Sequence, residues 1–284
     1  MDIEQIRAFL VINETRNFTK VAEILHIAQS TITARIRTLE QQIGKQLLLR
    51  NNKQVTLTRA GELFVPYAER MNELVQISME TILLEDRFTD KLVIGGPSSI
   101  WNYKFHTEIL NFKSSHPEIA LDLMAHTNEN TIQKVIDGTI DIGIVYSRPR
   151  HPMVDYELLQ EDHFVLAGRK DFEMINLNSL RGGDFLFIDW GKPFMTWFNE
   201  IVGPYFIPAF KINQTALVVN YLKNGDYFGF VPKSFVAPHL EDGGLQELDH
   251  KFSSKLPSFK TYVIYLKNKM NRSASDLFLE RLRK

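Results

Sequence analysis

Residues 22–44 read AEILHIAQSTITARIRTLEQQIG, and this stretch decides the N-terminal fold. Ile32, Ile36, Leu39 and Ile43 recur at helical spacing and fall on one narrow stripe. Ser30, Ala34, Arg37 and Gln41 point the other way, with Thr31, Thr33 and Thr38 flanking them. The spacing predicts a helix that begins at Gln29 or Ser30, whose side chain accepts from the free amides of the first turn, and that stops at Gly44. An outward face that is small, polar and basic suits a major groove about 12 Å wide, because Ser, Thr, Gln and Arg donate to phosphates and base edges. Any exposed amphipathic helix shares part of that character, so the neighbouring sequence carries the rest of the argument.

Working outward, Phe18, Val21, Ala22 and Leu25 form a stripe that ends at the break His26-Ile27-Ala28, and Ile3, Ile6, Phe9 and Leu10 form an earlier one. Two helices across a short turn, with small Ala22 where they would cross closely, predict a helix-turn-helix. Leu47-Leu48-Leu49-Arg50, Asn51-Asn52-Lys53 and Gln54-Val55-Thr56-Leu57 read as strand, polar turn and strand, a basic-tipped hairpin or wing. The whole chain carries a net charge of −1, yet from Arg16 to Arg59 eight bases face two acids, a local +6. Charge gathered in one compact unit suits a phosphate backbone, where each neutralised phosphate releases counterions. By charge alone, a solvated basic face would look the same.

The set Phe9, Phe18-Thr19, Ala22-Glu23, Leu25, Ala28-Gln29-Ser30, Thr33, Ile36, Leu39-Glu40, Ile43-Gly44, Leu47, Arg50, Leu57-Thr58 and Ala60-Gly61, at this spacing, resembles the LysR-type transcriptional regulators. Leu48 stands where members usually have Phe, a packing variation, and Ala34 where many have a long polar residue, which bears on the bases read. The expected DNA-binding residues are Gln29, Ser30, Thr31, Thr33, Ala34, Arg35, Arg37, Arg50 and Lys53.

After Thr58, a helix cap with Glu62 nearby, the chain runs to about Arg87 with no glycine beyond Gly61, and Phe64, Tyr67, Ala68, Met71, Leu74, Val75, Met79 and Ile82 keep a helical stripe. That is a rod of roughly 43 Å at ~1.5 Å per residue, and Pro66 inside it predicts a bend. A core helix would carry such a stripe too. The resemblance implies antiparallel pairing of this helix with a second copy, giving a homodimer or homotetramer on an inverted-repeat operator.

From Lys91 the rhythm alternates between strands and helices. Lys91–Gly95, Ile119–Ala125 and Ile140–Tyr146 read as strands, with helices over Trp101–Ser115 and Asn130–Asp137. The pattern repeats with Val165–Ala167, Phe185–Ile188, a helix over Pro193–Val202, Ala209–Ile212, a helix over Gln214–Lys223, and Tyr227–Val231. This predicts two α/β halves on a mostly parallel sheet. The fold class is multi-domain α/β: a winged helix-turn-helix over 1–58, a linker helix over 59–88 and, by resemblance, a periplasmic-binding-protein-like effector domain over 89–284. Its first subdomain is expected at about 89–160 and 267–284 and its second at about 161–266, with crossovers at Ser147–Glu161 and Tyr265–Lys267. The last helix, Ser273–Arg283, returns to the first subdomain. Asn224–Pro232 and Asp137-Gly138 before Asp141–Ile144 match structural signatures of the family.

The length of 284 residues, 44% apolar and 24% charged, fits two domains or one large one and excludes disordered and collagen-like chains. No apolar run reaches a membrane-spanning length and the N-terminus opens with acids, so a cytoplasmic protein with no membrane partner is expected. The absence of cysteine excludes disulfides, thiol catalysis and Cys-ligated metal centres. No P-loop, no G-x-S-x-G elbow and no paired histidines occur, and Asp141 and Asp189 read as turn acids, so neither an enzyme nor a cofactor is expected. The alternatives are a small-molecule-converting domain fused to the DNA-binding unit, or an architectural DNA binder with no effector.

Ser98 and Ser99 follow the first strand of the α/β region, with Ile100 next, where open α/β sheets bind ligands. A turn that only caps the next helix would read alike. By resemblance Thr127 and Ser147 line the same cleft, with Trp190, Pro193 and Phe194 opposite. Hydroxyls beside a helix start suit a small organic anion. The expected partners are double-stranded DNA, that effector, a second copy of the chain and RNA polymerase.

Overall fold

The computed structural model describes residues 1–50, 55–84, 87–169, 172, 174–252, 255–267 and 273–283, and every count below is of these. They form two compact units, 1–85 and 86–284.

The first unit opens with α1 (Ile3–Thr15), α2 (Phe18–Leu25) and α3 (Gln29–Ile43). Asp2 and Gln5 close a capping box on α1, and Asn17 caps α2. Left-handed Arg16 and His26 end α1 and α2, and Gly44 ends α3. Helix α3 starts at Gln29 as expected, but its capping differs. Its cap is Ala28, with no side-chain hydrogen bond, so Gln29 and Ser30 lie inside the helix with their side chains exposed. The three helices bury Phe9, Ile12, Val21, Ile32, Ile36 and Leu39 completely. Strands β1 (Leu48–Arg50) and β2 (Val55–Leu57) pair antiparallel as the wing, and the turn 51–54 lies outside the described residues.

Helix α4 (Arg59–Leu84) follows, with Thr58 Oγ1 accepting from the Gly61 amide at 3.0 Å. It ends short of Arg87. Ala68 and, partly, Phe64 and Met71 pack against the helix-turn-helix core, while Leu63, Tyr67 and Leu74 are 56%, 64% and 39% exposed.

In the second unit, β3 (Asp90–Gly96) pairs parallel with β4 (Ile119–Ala125) and β5 (Ile142–Val145). Helices α5 (His106–Ser115) and α6 (Asn128–Asp137) connect them. The helix expected over Trp101–Ser115 is broken: Ile100–Lys104 is a single π-helical turn, and α5 starts after it. The first crossover, expected over Ser147–Glu161, is built by a long strand. β6 (Val154–Gly168) runs without a break through the Val165–Ala167 segment expected as a separate strand. Its outer two-thirds carries Asp155, Glu157, Gln160 and Glu161 on a partly solvated ribbon, a composition that reads as loop although the backbone pairs with a distant strand, the register shifting once where Leu159 is left without a partner.

The remaining elements are β7 (Leu186–Phe187), α7 (Lys192–Val202), β8 (Phe210–Lys211), α8 (Val218–Asn224), β9 (Phe228–Pro232), α9 (Lys233–Glu241), β10 (Gln246–Glu247), β11 (Ser258–Leu266) and α10 (Ser273–Leu282). The second crossover is likewise the long strand β11, antiparallel to both β5 and β6. The main sheet therefore runs β4-β3-β5-β11-β6-β10, with β9 also on β6, and is mixed rather than mostly parallel. One seam of two long strands carries both halves. α10 returns to β3 and α5, its Phe278 ring edge-on to Phe112 at 5.1 Å and its Ala274 amide donating to Asp90 at 3.1 Å. An aromatic core including Phe164, Phe185, Phe194, Phe198 and Phe230 fills the second half.

Candidate DNA interface and effector cleft

On α3 the side chains of Gln29, Ser30, Thr31, Ala34 and Arg37 are exposed on one outward face. Thr33 and Arg35 are half-buried. The Thr33 hydroxyl donates to the Gln29 carbonyl at 3.0 Å, and the Arg35 guanidinium reaches Glu4 of α1 at 3.1 Å. Glu4 also meets Arg7 at 3.3 Å. Arg35 thus braces α1 against α3 through a carboxylate it shares with Arg7, whereas Arg37 faces solvent. Of the wing residues, Arg50 ends β1 opposite Val55, and Lys53 lies outside the described residues.

Two residues of the family set, Glu40 and Gly61, position this surface through contacts that their spacing does not show. Glu40 Oε1 accepts from the amides of Leu47 and Leu48 at 2.8 and 3.1 Å, tying the end of α3 to the first wing strand. Gly61 lets α4 approach that strand, because a methyl group there would overlap the Leu47 carbonyl oxygen. A Glu in mid-pattern and a Gly near a helix start carry no periodic signal, so only the packed structure reveals these contacts.

The second unit holds a cleft of about 1060 Å³ at the carboxyl ends of β3 and β4. One wall is Pro97, Ser98, residues 125–130 and Tyr146; the other is Asp189, Trp190, Gly191, Lys192, Met195 and residues 211–215. Ser98, Thr127 and Trp190 are thereby brought together on its lining. Ser99 and Ile100 are fully buried beneath it, and the Ser99 hydroxyl shares a hydrogen bond of 2.5 Å with the Tyr146 hydroxyl. Burial pushes the Tyr146 phenol well above its usual value, so it stays protonated. Phe194 is buried in the aromatic core, Pro193 is exposed at the start of α7, and Ser147 is half-buried; none of the three lines the cleft.

Local chemistry fixes the lining. Thr127 caps α6 by accepting from the Asn130 amide at 3.3 Å, and Asn128 Oδ1 accepts from the Tyr146 amide at 2.8 Å, docking the helix start onto β5. Across the cleft, Gly191 at φ +87° makes the turn into α7, its amide donating to Asp189 at 2.9 Å. The Trp190 indole donates to the Phe230 carbonyl at 2.7 Å, which holds the ring as a wall. Asp141, 8% exposed, accepts from the Val93 amide at 3.0 Å and so serves the sheet. Lys192, Lys211, Glu129 and Asp189 supply the charged side chains of the lining, and the first turns of α6 and α7 both contribute to it. Among the described residues no group of three or more His, Asp or Glu is placed to hold a metal ion. Nor is any helix long and apolar enough to cross a membrane.

Residues 3–62 match the model of the bacterial regulatory helix-turn-helix protein, lysR family, and residues 85–284 match the LysR substrate binding domain. The chain belongs to the LysR family of transcriptional regulators. This LysR-type regulator is 26% identical over 277 residues to the HTH-type transcriptional regulator HdfR of Salmonella schwarzengrund (strain CVM19633), covering 94% of this chain and 93% of the relative. It is 25% identical to the uncharacterized HTH-type transcriptional regulator YwqM of Bacillus subtilis (strain 168), over 100% of this chain and 99% of that one. Among solved structures it is similar to the LysR family transcriptional regulator CbnR, with a TM-score of 0.73 at 21% identity, covering 100% of this chain and 98% of that one. It is also similar to full-length CbnR complexed with its target DNA, with a TM-score of 0.72 at 22% identity, covering 100% and 99%. The regulator therefore pairs a DNA-binding helix-turn-helix unit with an effector-binding domain of its family.

Proposed function

We propose that this regulator binds an inverted-repeat operator sequence-specifically as a homo-oligomer, with α3 in the major groove, and that a small organic anion held in the cleft controls its activity. The exposed polar face of α3, with Arg37 outward and Arg35 withdrawn to Glu4, is the observation that carries the DNA reading. An arginine freed from ion pairing is able to meet a guanine edge or a phosphate, while one already paired would first lose its partner. The row Leu63, Tyr67 and Leu74 on α4 supports pairing with a second copy, since three large apolar side chains stay exposed in one protomer. Two rim lysines offset two rim carboxylates, so the two helix starts tip the cleft toward a negative ligand, and Trp190 and Met195 suit its apolar body. Ser98, Thr127 and Trp190 are the effector-binding residues this reading favours. Contact with RNA polymerase and a cytoplasmic location belong to the same reading.

The test selects bound sequences from a randomised duplex library with the full chain and measures affinity for the enriched site. Arg37→Ala is expected to weaken that affinity by about 1–3 kcal/mol. Arg35→Lys, which keeps the charge beside Glu4, should cost far less. Equal affinities for wild type and Arg37→Ala would remove this face of α3 from the groove. In parallel, a panel of small carboxylates and their neutral amides is screened by thermal unfolding; stabilisation by the amides and not by the acids would overturn the anion assignment.

A further inference from the structure

The two halves of the second unit share the strands β6 and β11, and the cleft opens beside that seam. A pair of strands is a compliant hinge, so contacts across the halves away from the seam decide how far apart the walls stand. One such contact starts at the π-helical turn Ile100–Lys104. Turns of this kind are rare and concentrate at functional sites. Here the turn follows directly on Pro97 and Ser98, which line the first wall. Its residue Tyr103 points away from its own half. The ring packs against Phe235 of α9 with centroids 5.1 Å apart, and the hydroxyl donates to the carbonyl of Ala216. Ala216 sits in the tight turn Thr215–Leu217, directly after Asn213, Gln214 and Thr215 of the opposite wall.

We propose that Tyr103 is a positioning residue that ties the Gln214–Thr215 wall to the Ser98 wall and so sets the width of the cleft. Tyr103 does not line the cavity, so it acts through the walls it joins. All of its links land on the second half, the ring on α9 and the hydroxyl on the Ala216 carbonyl and the Val219 amide. The ring contact fixes the sliding of the halves, and the hydroxyl fixes the approach of the loop. Burial raises the pKa of the phenol, and a protonated hydroxyl is what the Ala216 carbonyl requires as donor. The consequence for regulation rests on the effector reading of the cleft: a ligand that fits the tied walls binds without cost, and a larger one must first break the tie, so Tyr103 selects by size.

Hydrogen exchange on the full chain with no compound added tests the tie independently of any effector. Tyr103→Phe keeps the ring and removes only the hydroxyl. The amide of Leu217, which donates to the Gln214 carbonyl, reports on the loop. In the variant, peptides spanning 213–218 should exchange about two- to tenfold faster, the weight of one neutral hydrogen bond. Peptides from β9 and β3 should be unchanged. Unchanged exchange over 213–218 would overturn the tie, and so would an equal rise in β9 and β3, which marks general loosening. If the loop loosens as expected while the carboxylate screen finds no ligand, the positioning role stands and the effector reading fails alone.

Discussion

Glu157 shows how one carboxylate joins three elements at the seam. Its oxygens accept from Arg283 Nε at 2.8 Å and Nη2 at 2.5 Å, at the end of the chain, and from the Tyr265 hydroxyl of β11 at 2.8 Å. The bonds from Arg283 hold the carboxyl below its ordinary value of 4.5, while burial, with the hydrogen bond and charge of Glu157 behind it, pushes Tyr265 up to about 12, so that donor stays protonated. A carboxylate with a lowered folded pKa contributes stability that is complete above the ordinary value and is lost as the pH falls through the folded one. Urea midpoints of the wild type should therefore drop, as the pH falls below about 4.5, by more than those of Glu157→Gln, a difference of about 0.5–1 kcal/mol given the partial exposure. Parallel losses in the two proteins would show that Glu157 carries none of the acid sensitivity. No local pattern signals this cluster, because 126 positions separate Glu157 from Arg283. The placement of Arg37 and Ser98, by contrast, is legible from position alone: one lies on the polar side of a helical stripe and is exposed, the other follows a strand and lines the cleft.

Among the elements, α4 makes the sharpest claim. Leu63, Tyr67 and Leu74 fall within about 40° of one another on the helix wheel and remain exposed, while Ala68 is packed into the core of the first unit. Leu74→Asp should dissociate the homo-oligomer, since a carboxylate in a helix pair is costly to desolvate. Sedimentation would show smaller particles with unchanged helical circular dichroism, and binding to a palindrome would fall in step. A folded variant that keeps its wild-type mass would sink the pairing. The helices of the first unit were legible from sequence because an apolar period of 3.6 is a local signal, and each helix owns its stripe. The outer part of β6 is opaque for the converse reason: Val154–His163 pairs with a strand about a hundred residues away and mixes acids with apolar residues, showing neither clean alternation nor an apolar run. β11 does carry a signal, alternating Phe259, Thr261 and Val263 and the apolar run Tyr262–Leu266, which the reading of a crossover at Tyr265–Lys267 passes over. The π-helical turn before α5 was read as plain helix, since its extra residue per turn leaves the composition unaltered.

At the scale of the molecule, DNA recognition and the cleft lie in separate compact units, so each is open to change without the other. Ser98 lines the cleft while Ser99 is buried against Tyr146, so Ser98→Ala alone is the clean probe. It should weaken the carboxylate found in the thermal screen about tenfold, the worth of one charge-assisted hydrogen bond, and leave operator affinity without the carboxylate unchanged. Calorimetry that returns wild-type affinity would remove Ser98 from the ligand's contacts. By itself the sequence determined the helix-turn-helix, the wing strands, the long helix and the α/β character of the remainder, because periodicity, turn residues and charge clustering act over a few neighbours. Only the tertiary structure decided that Ser98, Thr127 and Trp190 meet on one cavity, that Ser99, Ile100 and Phe194 support it from beneath, and that Arg35 is spent on Glu4. Those outcomes depend on the register of strands and the packing of helices far apart in the chain, where a shift of one residue turns a side chain from the cleft to the core.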